Sequence, residues 1–169
     1  RRENHGEPLR RICDGIRRLH DSQPDLEFVW PVHPNPAVEP VVRAELGGLD
    51  RVRLVRPLDY GPFVAAMKRA AFILSDSGGV QEEATALGTP VLVLRSVSER
   101  PEAVLSGVAR LIGDDPEAIA REGARLLTDL CTAPPGPLST AFGDGRATAR
   151  IVSVLHRKLV VESPEAVVA

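Results

Sequence analysis

Residues 72–94 read F-I-L-S-D-S-G-G-V-Q-E-E-A-T-A-L-G-T-P-V-L-V-L. The apolar run at 72–74 predicts a strand. It leads into the turn Ser75-Asp76-Ser77-Gly78-Gly79, then a helical stretch at 80–87 and a second apolar run at 91–94. Near-continuous runs of Val, Ile, Leu and Phe mark strands covered on both faces, as in a parallel sheet flanked by helices.

The same alternation continues on either side. Further strands are predicted at 26–30, 52–55 and 108–112, and helices at 8–20, 38–46, 62–70, 116–130 and from 146 to about 160. Strand and helix alternating at this spacing predict an α/β fold with a Rossmann-like parallel sheet. Pro134-Pro135-Gly136-Pro137 ends the helix before it and predicts a stiff connector, and the patternless tail at 162–169 is expected to fray. Residues 1–6 are polar and lead directly into a helix. A doubly wound domain begins with a strand, often central in the sheet. A sheet without it has two open edges and an unfilled core, so the sequence reads as a piece of a longer polypeptide.

A chain of 169 residues with 43% apolar content fits one domain, residues 1–169, with an ordinary core. The formal charge of -2, with both signs mixed and no basic stripe, argues against a nucleic-acid partner. No apolar run reaches the roughly 18 residues of a membrane span, and no apolar signal core follows Arg1-Arg2-Glu3-Asn4. Cys13 and Cys131 stand apart from each other and from any histidine pair, so no metal site is predicted. A reduced, cytoplasmic protein is the expectation.

Ligands of open α/β sheets bind beyond the carboxyl ends of the strands. The turn at Ser77-Gly78-Gly79 is the most informative loop there. Two glycines let the backbone approach a ligand, and N–H groups at a helix start favour an anion such as phosphate, with the Ser77 hydroxyl as a further donor. Plain capping by Ser77 is the alternative, although a capping box would want Glu or Gln where Val80 stands. Glu83 lies about 9 Å further along the helix axis. That is too far for the same phosphate but within reach of ribose hydroxyls. Arg100 offers a planar fork for phosphate oxygens, or else a surface ion pair with Glu99 or Glu102.

Leu58 and Phe63 flank a helix start and could wall a base, or belong to the core. His33, set between Pro31 and Pro34, is a ligand candidate at a strand end. Gln81 and Glu82 read as first-turn residues that suit the helix dipole. Phe142-Gly143-Asp144-Gly145 reads as a tight turn with Asp144 as a helix cap. A nucleophile elbow, a Walker lysine and GxGxxG are absent, which disfavours acyl transfer, ATP hydrolysis and nicotinamide chemistry.

Taken in order, Arg1-Arg2-Glu3-Asn4, Pro31-Val32-His33-x-Asn35-Pro36, Pro57-Leu58-Asp59-Tyr60, Asp76-Ser77-Gly78-Gly79-x-Gln81-Glu82-Glu83, Glu99-Arg100-Pro101-Glu102 and Gly143-Asp144-Gly145 form a recognisable set. Over almost its full length the chain resembles the C-terminal half of bacterial non-hydrolysing UDP-N-acetylglucosamine 2-epimerases. The resemblance implies the C-terminal domain of a glycosyltransferase-B-like two-domain enzyme with its active site between the domains. It implies that Ser77, Gly78, Gly79 and Arg100 hold the diphosphate of UDP, that Glu83 takes the ribose, and that Leu58 and Phe63 frame the uracil. Arg1 and His33 match positions that, in some members, line a second pocket where UDP-GlcNAc acts as an allosteric activator.

The family's reaction inverts C2 of the sugar without a redox cofactor, by eliminating and re-adding UDP; no cofactor or metal is implied. Its catalytic carboxylates belong to the N-terminal domain, and a histidine would stand just before Arg1, so no catalytic residue is expected in this chain. The implied partners are UDP, UDP-GlcNAc, that N-terminal domain and a second copy in a homodimer; cell-envelope polysaccharide biosynthesis is the implied setting. Two departures are visible: Thr140-Ala141-Phe142 stands where Asn-Pro and an aromatic are usual, and Ser98 replaces a usual threonine. A glycosyltransferase donor domain, a hydrolysing epimerase and a non-catalytic UDP-sugar binding module are the competing readings.

Overall fold

Leu9, Ile12, Cys13, Ile16 and Leu19 recur at helical spacing and are all buried. They form one face of α1 (Glu7–Ser22), the first element of a computed structural model that describes residues 2–132 and 140–161. A 3-10 turn, Arg2–Asn4, precedes it. The order continues as β1 (Phe28–Pro31), α2 (Glu39–Leu46), β2 (Val52–Val55), α3 (Tyr60–Arg69), β3 (Ile73–Ser75), α4 (Gly78–Leu87), β4 (Val91–Val93), α5 (Pro101–Leu105), β5 (Ala109–Leu111), α6 (Pro116–Thr132) and α7 (Ala147–His156). The proline-rich connector and the tail at 162–169 lie outside the described residues, as does Arg1.

All strand pairing is parallel, as the alternation predicts. β1 pairs with β2 from Phe28 opposite Val52, and β4 lies between β3 and β5, with Val91 opposite both Ile73 and Ala109. Central position explains why Val91, Leu92 and Val93 are all apolar: each is buried. The strands form two sheets, β1-β2 and β3-β4-β5, and among the described residues no strand joins them. What joins them is α1. Its apolar face packs into one buried cluster with Val32 and Val52 from the first sheet and Leu94 from the end of the second. Full burial of such a side chain contributes about 1.5–3 kcal/mol.

α1 and α6 cross closely because each offers a glycine to the other. A Cβ on Gly15 would stand 2.7 Å from Ile119 Cβ, and one on Gly123 would stand 2.6 Å from Leu19 Cδ2. At the amino ends of the first sheet, buried His20 bridges Asp21 and Asp50, at 2.8 and 3.0 Å. Arg51 donates there to the carbonyls of His20, Gln23 and Leu26.

The differences from expectation are local. Residues 101–105, to which the sequence reading assigns no helix, are helical, with Pro101 at the first turn where its missing N–H costs nothing. α4 starts at Gly78 rather than Val80, so both glycines are its first helical residues. The last helix ends at His156 and passes into a π-helical turn, Arg157–Val161. Asp144 is not the positional N-cap of α7, which is Arg146; it instead accepts the Arg146 N–H at 3.1 Å. It also grips Arg150 through two bonds of 2.8 and 2.7 Å, and that guanidinium holds its carboxyl below the usual range.

Candidate functional site

Parallel strands put their carboxyl ends on one rim of each sheet, and the site is built there. After β3, Ser75 turns its hydroxyl back to accept the Ser77 N–H at 3.1 Å. Ser77 is extended (φ -84°, ψ 130°) and occupies the N-cap position of α4, but its side chain makes no capping hydrogen bond. Plain capping by Ser77 is therefore not what the structure contains. The first helical N–H with a main-chain partner in the chain is Gln81, to Ser77 O at 3.3 Å. The Gly78 and Gly79 amides precede it, in the turn where helical N–H groups have no internal acceptor. They are not equally open: Gly78 is buried, whereas Gly79 is exposed. A Cβ at Gly79 would meet only Ser77 Oγ, at 4.0 Å, so a ligand can approach the backbone there.

Arg100 comes to the same helix from the loop after β4. It is the N-cap residue of α5, and its main-chain N–H donates to Ser98 Oγ at 3.0 Å. Its side chain does not pair with the Glu99 or Glu102 carboxylates, the surface partners weighed from the sequence. Nε donates instead to Glu82 Oε1 of α4, and one terminal nitrogen donates to the Glu99 carbonyl at 3.0 Å. The guanidinium is about one-third exposed. This cation is thus held against α4 through Glu82, one turn beyond the two glycines.

Glu83 stands one residue beyond Glu82. Its Oε2 is buried and has no hydrogen-bond partner among the described residues. Native interiors rarely leave such an acceptor unpaired, so a missing donor is the physical implication. Leu58 and Phe63 flank the start of α3, which packs beside α4. Both keep solvent exposure, and neither belongs to the two buried clusters. His33 is exposed on the loop after β1, where its Nδ1 accepts the Asn35 N–H at 3.2 Å. It is not seen with the α4 group.

Three residues of weight were given no site role from the sequence. Gln81, read as a first-turn residue suited to the dipole, is fully buried. Its Nε2 donates to Ser77 O at 3.3 Å and its Oε1 accepts from Ser98 at 2.7 Å. Asn4 ties the 3-10 turn to the rim, donating to Asp76 at 2.9 Å and to Leu94 O at 3.2 Å. Arg95, only 10% exposed, pairs with Glu3 at 2.5 Å from the end of β4. No local pattern marks them: Asn4 stands in the polar run 1–6 and Gln81 beside Glu82 and Glu83, and Asp76, Leu94 and Ser98 lie far from them in sequence.

Two concavities lie away from this turn. One, of about 400 Å³, is walled by Arg110, Arg121 and Arg125 around Glu122, whose carboxyl is held low first of all by Arg110. The other, of about 350 Å³, opens beside Glu3, Asn4 and Arg95. Neither is lined by Ser77, Glu83 or Arg100. Among the described residues there is no cluster of side chains able to hold a metal ion, and no helix long and apolar enough to cross a membrane.

The family profile described as UDP-N-acetylglucosamine 2-epimerase matches residues 1–156. The UDP-N-acetylglucosamine 2-epimerase of Escherichia coli (strain K12) is 44% identical over 163 residues, covering 95% of this chain and 43% of the relative. Among solved structures, S. aureus MnaA with UDP superposes with a TM-score of 0.87 at 42% identity, over 97% of this chain and 46% of that one. The UDP-GlcNAc 2-epimerase from Neisseria meningitidis bound to UDP-GlcNAc gives 0.83 at 40% identity, over 93% and 43%. The chain therefore spans less than half the length of the relatives it matches.

Proposed function

This chain belongs to the UDP-N-acetylglucosamine 2-epimerase family, and on that premise we propose that it forms the UDP-holding half of an enzyme interconverting UDP-GlcNAc and UDP-ManNAc. The observation that carries the reading is the uncapped start of α4 with Arg100 brought beside it by Glu82. Main-chain donors, a helix dipole and a guanidinium together suit a diphosphate. Ser77, Gly78, Gly79 and Arg100 hold it. Glu83 Oε2 accepts from the ribose, and Leu58 and Phe63 bracket the uracil.

These groups also serve the chemistry. A base on the other domain removes the C2 proton, the C–H electrons form a C1–C2 double bond, and the C1–O electrons leave with UDP. Negative charge gathers on the terminal phosphate as that bond breaks. Donors aimed there stabilise the transition state more than the ground state, which is what accelerates the step. The 2-acetamidoglucal stays beside UDP, takes a proton on the opposite face of C2, and UDP adds back at C1. The N-terminal domain supplies the acid and base, Arg1 and His33 line the second, allosteric UDP-GlcNAc pocket, and the enzyme works as a cytoplasmic homodimer.

Incubating the full-length protein with UDP-GlcNAc in deuterated water tests this. Deuterium at C2 of recovered sugar nucleotide, with UDP-ManNAc formed, is the expected outcome. Sugar transfer with protium retained at C2 would point to a glycosyltransferase, and release of free N-acetylmannosamine to a hydrolysing enzyme. UDP binding with no turnover would leave only a binding module.

A further inference from the structure

We infer that Gln81 and Ser98 are positioning residues that lock Arg100 to the diphosphate turn, an inference that rests on the UDP reading of that turn. Gln81 is 0% exposed, and burying a carboxamide is costly unless its groups are paired. Both ends are used. The Arg100 N–H donates to Ser98 Oγ at 3.0 Å, and the Ser98 hydroxyl donates to Gln81 Oε1 at 2.7 Å. Gln81 Nε2 then donates to Ser77 O at 3.3 Å. Donors and acceptors run in one direction from Arg100 to Ser77, so each bond polarises the next.

Glu82 adds a second tether by accepting from Arg100 Nε. The main chain of Arg100 is therefore held through Ser98 and Gln81, and its guanidinium through the next residue of the same helix. The cation and the Gly78–Gly79 amides sit on one rigid unit, although 21 positions separate Gly79 from Arg100. A diphosphate meets both without reordering the loop that follows β4, so less of its binding energy is lost to ordering.

The test is a double-mutant cycle on the full-length enzyme, reading UDP affinity by titration calorimetry and unliganded melting temperature. Ser98→Ala should weaken UDP about 3- to 10-fold, the range for one neutral hydrogen bond. Ser98→Thr, which keeps the hydroxyl, should restore affinity to within about twofold, less than the loss of one such bond. In an Arg100→Ala background Ser98→Ala should have no further effect, because its route of action is gone. A bridge that merely stabilises α4 against the loop would lower the melting temperature but leave UDP affinity alone, or weaken it equally in both backgrounds. Either result overturns the inference. If Arg100→Ala itself binds UDP like wild type, the diphosphate reading falls and this inference with it. If Arg100→Ala is weakened and Ser98→Ala is not, only the inference falls.

Discussion

Glu83→Gln should have two consequences of opposite sign. In the unliganded chain Glu83 Oε2 is buried without a hydrogen-bond partner among the described residues. An unsatisfied buried polar atom costs about 1–3 kcal/mol, and a charged one more. Glutamine keeps the shape of the side chain while removing the charge, so it should recover about 1 kcal/mol of that penalty. For a domain of this size the recovery corresponds to a melting temperature raised by about 2–4 °C. With UDP bound the direction reverses. A carboxylate accepting a ribose hydroxyl forms a charge-assisted bond of about 1.5–3 kcal/mol, against about 0.5–1.5 for a neutral acceptor. The difference, about 1–1.5 kcal/mol for one bond, is a loss of about 5- to 13-fold in affinity. Calorimetric titration with UDP and thermal unfolding of the unliganded protein, run in parallel on wild type and variant, read both terms. A variant that melts several degrees lower and binds UDP as tightly as wild type would refute the reasoning, because Oε2 would then be serving the fold.

Other consequences follow from the same geometry. Arg100→Lys keeps the charge but loses the planar fork that reaches both Glu82 and a phosphate, so UDP affinity should fall about tenfold in titration, as bidentate sites do not tolerate that exchange. Gly15→Ala drives a Cβ to 2.7 Å from the backbone-anchored Cβ of Ile119. With a Cβ that cannot swing aside the overpacking falls in the upper part of its range, about 2–3 kcal/mol, and less about 1 kcal/mol of helix propensity it leaves a net loss of about 1–2 kcal/mol in urea unfolding. Gly123→Ala meets the methyl end of Leu19 and should lose less; equal stability of Gly15→Ala and wild type would contradict the close crossing. Cys13 is buried and its thiol is pushed up to about 12, first by burial and then by the Glu45 carboxylate, while Cys131 is exposed. Iodoacetamide at pH 8 should therefore label Cys131 alone until denaturant is added. Because the unfolded thiol releases its proton near 9.0, the stabilising effect of the protonated Cys13 is whole below that pH and lost as pH rises toward 12.

The sequence by itself determined the fold class and the order of elements, because those signals are local. The apolar runs around Val52–Val55 and Val91–Val93 read as buried parallel strands, and the recurrence of Leu9, Ile12, Cys13 and Ile16 reads as one helix face. The glycine pair after β3 was legible as a helix start for the same reason. Tertiary structure alone decided what meets what. Nothing in the run around Ser98 says that its hydroxyl closes on Gln81, or that Arg100 passes over Glu99 and Glu102 for Glu82, 18 positions back. That α1 packs across both sheets was likewise decided by packing, since the apolar pattern of a helix face records that it is covered but not by which neighbour. Periodicity is a property of a few consecutive residues. A cluster assembled from two loops and a helix terminus is a property of how distant segments stack.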